Sequence, residues 1–472
     1  MPVPGAAAPG KEKDCMRKSN LMNMTEGRPM RLLFVFALPL LIGNLFQQAY
    51  NLADSMIVGK LLGANALAAV GATGSISFLF FSVCNGISSG GGIVTAQYYG
   101  ARDYDRVKRA IVNSAYIMFT TSFITSLTAF LMVPTVLAWM GTPEEILPDA
   151  VTYMRMTSAS VPLIAVYNYA SSMQRALGDS RTPLYFLIFS CFLNVGLDLL
   201  FVGSFGLGVF GAALATMLSQ LLAGVGSLLY AVRTNPFFRL KKADLPFDRK
   251  IAGAAIRMGL PLALQWSMIA VSTTALQTFT NSFGASAVAA FTATNRLEQL
   301  VQQPFGSLSM ALSTYSSQNY GANRTDRIRA GFRDNMMATA VLSALMFLLM
   351  QVWGDNLISL FVNEPEVIAL GGRALKITSF FYLFLGTIYA TRGVLNGIGD
   401  ALFAFINGIV EIAGRIGLPV LLSMIPGLGV WAIWYTAGIT WMLAGLSCIF
   451  RYIAWRRRNV TKETKSAAIT AG

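Results

Sequence analysis

Two carboxylates stand where a chain seldom places them. Asp54 lies in 51-NLADSMIVG-59 and Asp198 in 194-NVGLD-198, both within apolar runs. A charge at the centre of a bilayer costs at least about 2.5 kcal/mol, so an acid kept there marks a functional position. Asn194 precedes Asp198 by four residues, which puts it on the same helix face one turn away. Thr216, in 211-GAALATM-217, falls at about that deeper level on the next segment. Carboxylate, amide and hydroxyl oxygens gathered in this way can coordinate Na⁺. The same two acids can instead carry a proton, because neighbouring like charges in a dry site repel until one is neutralised. The residue types leave both chemistries open.

Other charges sit deep in apolar runs. Glu298, with Gln302 and nearby Arg296, lies in 294-TNRLEQLVQQ-303, and Glu411 and Arg415 are four apart in a later run. Glu298, Gln302, Glu411 and Arg415 are candidates for lining a substrate cavity. Glu411 and Arg415, at i and i+4, are better read as an ion pair along one helix face.

Competing chemistries lack their residues. Histidine is absent, which removes the commonest general base and metal ligand. Cys15, Cys84, Cys191 and Cys448 are far apart, three of them in apolar runs, and read as small buried hydrophobes. No GxxxxGK[ST] phosphate loop occurs. An enzyme is not expected, nor any resident cofactor.

Helices must position the acids. The 472 residues are 54% hydrophobic and 12% charged, with a mean hydropathy of +0.56. That composition belongs to a polytopic membrane protein. A net charge of +14 could suggest nucleic acid, but the basic clusters recur in alternate connections, at 102-RDYDRVKR-109, 239-RLKKADLPFDRK-250, 324-RTDRIRAGFR-333 and 455-WRRR-458. Acids occupy the opposite side, in 141-GTPEEILPDA-150 and 363-NEPEVIAL-370. This positive-inside bias puts both termini in the cytoplasm of a cell-membrane protein. The first thirty residues, with Lys11, Lys13, Arg17, Lys18 and Arg28, read as a cytoplasmic tail and not as a signal peptide.

A spanning helix needs about 20 mainly apolar residues. Twelve segments qualify, near 32–59, 67–95, 110–139, 150–176, 183–203, 207–232, 252–281, 287–314, 335–361, 370–396, 402–424 and 428–453. The halves repeat at an offset of 221, which pairs 63-GANALAAV-70 with 284-GASAVAAF-291 and 97-QYYGA-101 with 318-QNYGA-322. It also pairs Gly178 and Asp179 with Gly399 and Asp400, and 206-GLGV-209 with 427-GLGV-430. The fold expected is therefore all-α, with twelve transmembrane helices in two parallel six-helix repeats. The lobes fall at 31–232 and 251–454, joined by a cytoplasmic linker at 233–250 and flanked by tails at 1–30 and 455–472.

Spans 1 and 5 both run outward, and each acid precedes a terminal glycine, Gly59 or Gly203, by five residues. Both carboxylates then lie roughly 7 Å below the outer end of their helices. The repeat isolates them in the first lobe: position 276, near the counterpart of Asp54, is Leu, and position 419, opposite Asp198, is Pro. Pro39, Pro162 and Pro304 each remove a backbone donor and favour a bend in spans 1, 4 and 8. The run 86-GISSGGG-92 suits close helix packing.

The stretches LPLLIGNLFQQAYNLADSMIVGKLLG, QYYGA, RALGDSRTP and NVGLDLLF, within a similarity running from about residue 25 to 455, resemble the multidrug and toxic compound extrusion transporters, more narrowly their DinF-like branch. The resemblance implies two six-helix lobes around a V-shaped cavity and export of organic cations in exchange for H⁺ or Na⁺. It implies a first-lobe cation site at Asp54, Asn194, Asp198 and Thr216, and a bending role for Pro39 when the aspartate is protonated. The acids that the NorM branch carries in spans 7 and 10 align here with Ile269 and Leu385, so coupling is expected in the first lobe alone.

The expected function is cation-coupled export of small amphipathic compounds by a monomer in contact with membrane lipid and without nucleic acid. A lipid-linked saccharide flippase of the same superfamily is one alternative, though it calls for a strongly basic cavity. A membrane enzyme or receptor without transport is the other, and the absent histidine and one-lobed acidic pair count against it.

Overall fold

A bilayer offers the backbone no hydrogen-bond partners, so a spanning segment must satisfy its own amides and carbonyls. The chain does this with helices. The computed structural model describes residues 21–471, so the tail ahead of residue 21, with Cys15 and its basic residues, lies outside the described residues. In the first half the helices are α1 (Pro29–Leu62), α2 (Ala64–Gly100), α3 (Tyr104–Trp139), α4 (Leu147–Ala176), α5 (Arg181–Asp198) and α6 (Gly208–Thr234). In the second they are α7 (Arg249–Asn281), α8 (Ala285–Gly321), α9 (Thr325–Ile358), α10 (Pro365–Ser379), α11 (Tyr382–Gly397), α12 (Ala401–Ser423) and α13 (Ala432–Ala471).

Each expected span is occupied by one helix except the tenth, where α10 and α11 meet at a 53° bend. Among the described residues nine helices are long and apolar enough to cross a membrane, and the bent pair makes a tenth. The other two spans, α4 and α8, are 30 and 37 residues long and fall short only in hydropathy. Their polar side chains, such as Ser158, Ser160, Thr294 and Glu298, are buried in protein and do not face lipid. Large apolar residues take the outer surface instead, including Phe123, Leu131 and Phe192 at 64 to 69% exposure.

The duplication extends to the backbone. Left-handed conformations recur in pairs at the sequence offset: Gly63 with Gly284, Arg102 with Asn323, Gly178 with Gly399, Gly206 with Gly427, and Gly208 with Gly429. At Gly178 (φ +88) a side chain would also strike the Met22 carbonyl, its Cβ only 2.2 Å from that oxygen. Asp179 then accepts at Oδ1 from the amides of Arg181 and Thr182, both at 3.0 Å, and so starts α5.

Packing divides the chain into two compact units. One holds the described residues up to Glu26 with Val35–Leu264, and the other holds Gly27–Phe34 with Gln265 onward. The division by packing thus falls inside α7, whereas the boundary read from the sequence precedes that helix. The glycines of α2 supply the reason. A Cβ on Gly86 would come within 2.4 Å of the Ala263 amide, and one on Gly90 within 2.4 Å of the Gly259 amide and 2.5 Å of the Ala255 carbonyl. The first half of α7 is therefore held backbone to backbone against α2, and Gly91 and Gly92 leave room for the side chains of Ser114 and Ser172. Overpacking such a seam costs about 1–3 kcal/mol or more. Gly90→Leu should accordingly lower the melting temperature in detergent by several degrees, while Gly71→Ala, where a Cβ meets nothing within 4 Å, should not. Equal melting of the two variants would refute the close seam.

Candidate functional site

Four helices of the first unit build one polar site. α1 contributes Tyr50 and Asp54, one turn apart on a single face. α5 contributes Asn194 and Asp198, both fully buried, and α6 contributes Thr216. The carboxyl groups of Asp54 and Asp198 lie within hydrogen-bonding reach of each other. Asn194 donates from Nδ2 to Thr216 Oγ1 at 3.3 Å, and the Tyr50 hydroxyl is 3.5 Å from the same oxygen. The structure thus gathers all four residues of the site read from the sequence into one cluster.

It also adds two residues. Tyr50 stands at i−4 from Asp54, a spacing visible in the sequence. Tyr153 of α4 lies within electrostatic reach of both carboxylates and bonds to Thr157 one turn on. Nothing in the sequence ties Tyr153 to them, because only the packing of α4 brings it there. Tyr153 rests on the apolar cluster of Val58, Ala66, Val202, Val209 and Ala212, and Tyr50 on that of Tyr167, Leu187, Cys191 and Ala223. These clusters keep water from the flanks, and Asp54 Oδ1 is buried with no hydrogen-bond partner among the described residues.

The helix carrying Asp198 changes type at that residue. α-helical geometry ends at Asp198 and a π-helical turn, Leu199–Ser204, follows, with the Phe205 amide reaching the Leu200 carbonyl at 2.9 Å. π turns lengthen the backbone ring by a residue, are rare, and frequently occur at functional sites. Here the turn forms the last part of span 5, directly beyond the acid.

The second unit holds a different polar set, in two groups. In the first, Arg392 of α11 donates to Asn407 Oδ1 at 2.8 Å and pairs with Glu411, all three being nearly inaccessible. Asn407 passes its own amide protons to the Ala444 carbonyl at 3.0 Å and Ser447 Oγ at 2.8 Å. Gln302 joins at the edge, accepting from the Tyr389 hydroxyl at 2.9 Å. In the second, Glu298 bonds to Thr378 and feels Arg415 and Tyr382 nearby.

This corrects the expected Glu411–Arg415 pair. Arg415 instead donates to Thr273 Oγ1 at 3.0 Å, and Glu411 takes its partner from α11. The reason is geometric: Asn407 and Glu411, one turn apart on α12, together present two acceptors to the planar fork of Arg392. Arg392 was legible as a charge in the apolar run 382-YLFLGTIYATRGVLNG-397 and belongs among the buried charges.

At the offset of the repeat, Asn194 corresponds to Arg415, Asp198 to Pro419 and Thr216 to Ala437. The second unit therefore places a guanidinium where the first has an amide, and has no second acid pair at those positions. The only π-helical turn and the bent span among the described residues also sit beside buried acids, at Asp198 and between Thr378 and Tyr382 next to Glu298. Two acids in contact, flanked by an amide, a hydroxyl and two phenols, can hold one small cation.

Comparison with known proteins gives a consistent picture. The MatE family model matches residues 39–200 and 261–419, one stretch in each half. The probable multidrug resistance protein YoeA of Bacillus subtilis is 29% identical over 442 residues, covering 92% of this chain and 95% of that protein. The multidrug export protein MepA of Staphylococcus haemolyticus is 22% identical, covering 96% of this chain and 99% of that one. A crystal structure of MATE in the bent conformation superposes with a TM-score of 0.87 at 22% identity, over 94% of this chain and 98% of the other.

Proposed function

The chain belongs to the MatE family, and we propose that it exports small amphipathic, often cationic compounds across the cell membrane in exchange for H⁺ or Na⁺. As a member of this family it is a multi-pass membrane transporter and not an enzyme. The names of its relatives, multidrug resistance and multidrug export proteins, support the substrate class.

The contact between Asp54 and Asp198 carries the coupling assignment. An ionised carboxylate accepts hydrogen bonds and donates none. Two of them side by side therefore need a proton or a cation between them. When that cation leaves, repulsion favours a different arrangement of α1 and α5. A ligand can drive a change of access only if it binds the two states unequally, and this pair provides such a difference. Pro39, inside an otherwise continuous α1 and fifteen residues before Asp54, is the proposed point of bending. Asn194 and Thr216 extend the reading to Na⁺, since their oxygens can complete a coordination shell. In this reading the protein acts as a monomer with both termini in the cytoplasm, and the likeness of its span 1 and span 5 motifs supports the DinF-like branch.

Efflux of a fluorescent organic cation from proteoliposomes, driven first by a pH gradient at fixed Na⁺ and then by a Na⁺ gradient at fixed pH, tests the proposal. One of the gradients should accelerate efflux several-fold. Efflux indifferent to both would remove the coupling.

A further inference from the structure

The segment between α6 and α7 is a fixed strap. Its first turn, Pro236–Phe238, buries Phe237 and Phe238, with the Phe237 ring 5.5 Å from Tyr99 and 5.3 Å from Tyr104. The next turn, Lys242–Asp244, is closed by Asp244 Oδ2, which accepts from the Lys241 amide at 2.8 Å. Beyond it the strap is tied to α3. The Tyr116 hydroxyl donates to the Leu245 carbonyl at 3.0 Å, and fully buried Asn113 accepts at Oδ1 from the Asp248 amide at 2.8 Å.

These bonds shape an open pocket of about 430 Å³ lined by Arg109, Pro246, Phe247, Asp248, Arg249 and Lys250. Its one carboxylate is engaged by the backbone: Asp248 Oδ1 accepts from the amides of Lys250 at 2.9 Å and Ile251 at 3.3 Å, capping α7. Arg109, Arg249 and Lys250 are exposed and form no ion pair among the described residues. Phe247 and Leu245 stand beside them at 59% and 44% exposure. Three cations, with a large apolar side chain at the same rim, lie at the ends of spanning helices, at the level of a membrane surface.

We propose that this pocket binds the phosphate headgroup of an anionic phospholipid. The guanidinium groups offer paired donors to phosphate oxygens, and the negative leaflet surface concentrates the ligand. Phe247 and Leu245 give the glycerol and upper acyl chain an apolar rest. A free phosphate ion would use the cations and leave the aromatic ring idle, so the rim selects the lipid. Bound there, the lipid adds contacts to the strap that leads into α7, whose first half packs against α2.

The test uses purified protein in neutral detergent, titrated with phosphatidylglycerol, phosphatidylcholine or inorganic phosphate and followed by thermal shift. Phosphatidylglycerol alone should raise the melting temperature. Each cation near an anionic surface contributes about fivefold in affinity, so Arg109→Ala, Arg249→Ala and Lys250→Ala combined should weaken the response by about a hundredfold. A charge-matched control, Arg233→Ala, Lys241→Ala and Lys242→Ala, should weaken it little, and Phe247→Ala should weaken it without any change of charge. Equal loss in the control would show a diffuse basic surface, and equal stabilisation by inorganic phosphate would show a simple anion site. Either result overturns the proposal.

Discussion

Asp54→Asn is expected to reduce gradient-driven export to background, a loss of at least about tenfold, in everted membrane vesicles given an imposed pH or Na⁺ gradient. The amide has nearly the size and shape of the acid, and Asp54 is only half-buried, so the fold should persist. What disappears is the charge that calls for a proton or cation between α1 and α5. If the two acids act as one site, as proposed, Asp198→Asn should cause a similar loss, and the double variant should be no worse than either single one. Binding of substrate without a gradient should remain measurable. Tyr50→Phe, which removes the hydroxyl 3.5 Å from Thr216 Oγ1, should weaken coupling less than either loss of charge. If Asp54→Asn exports at the wild-type rate under the same gradient, the coupling role is wrong.

Arg392→Met is expected to be the most destabilising of the changes considered. It leaves Glu411, 5% exposed, without its cation, and removing one partner of a buried pair costs about 3–5 kcal/mol. The apparent melting temperature in detergent should fall steeply. Arg392→Met combined with Glu411→Leu should recover more than half of the loss, since apolar replacement of a whole buried pair is often close to neutral. Asn407 keeps its bonds to Ala444 and Ser447 in both variants, which holds α12 against α13. A double variant as unstable as the single would assign the loss to packing of the arginine stem and not to the charge.

The legible features are those with a length or a period. Spans were readable because a bilayer sets their length, and the repeat because one offset recurs in sequence and again in the left-handed residues at Gly178 and Gly399. Asp54 and Asp198 stood out because carboxylates are costly in apolar runs. What lay beyond the sequence was the choice among neighbours. Glu411 has a lawful partner at i+4 in Arg415, and only the placement of α11 beyond a 53° bend gives it Arg392 instead. That bend carries no proline: Phe380 and Phe381 occupy it, and the Phe381 ring lies so close to Gly438 that a Cβ there would come within 2.3 Å. The π turn after Asp198 has no sequence marker either. Tyr50 was within reach of the i−4 rule, whereas Tyr153 depends on how α4 packs against the site.

The proposed exchange requires that one cation and the exported compound compete through the Asp54–Asp198 pair. In exchange transport each ligand must lower the other's affinity by the same factor. Adding a substrate cation to purified protein in weakly buffered detergent, with a pH-sensitive dye and a Na⁺ electrode in the cell, measures this directly. Release of about one H⁺ or one Na⁺ per bound substrate is expected from the wild type and none from Asp54→Asn. Equal release from both proteins, or substrate binding to the wild type with no release of either ion, would contradict it.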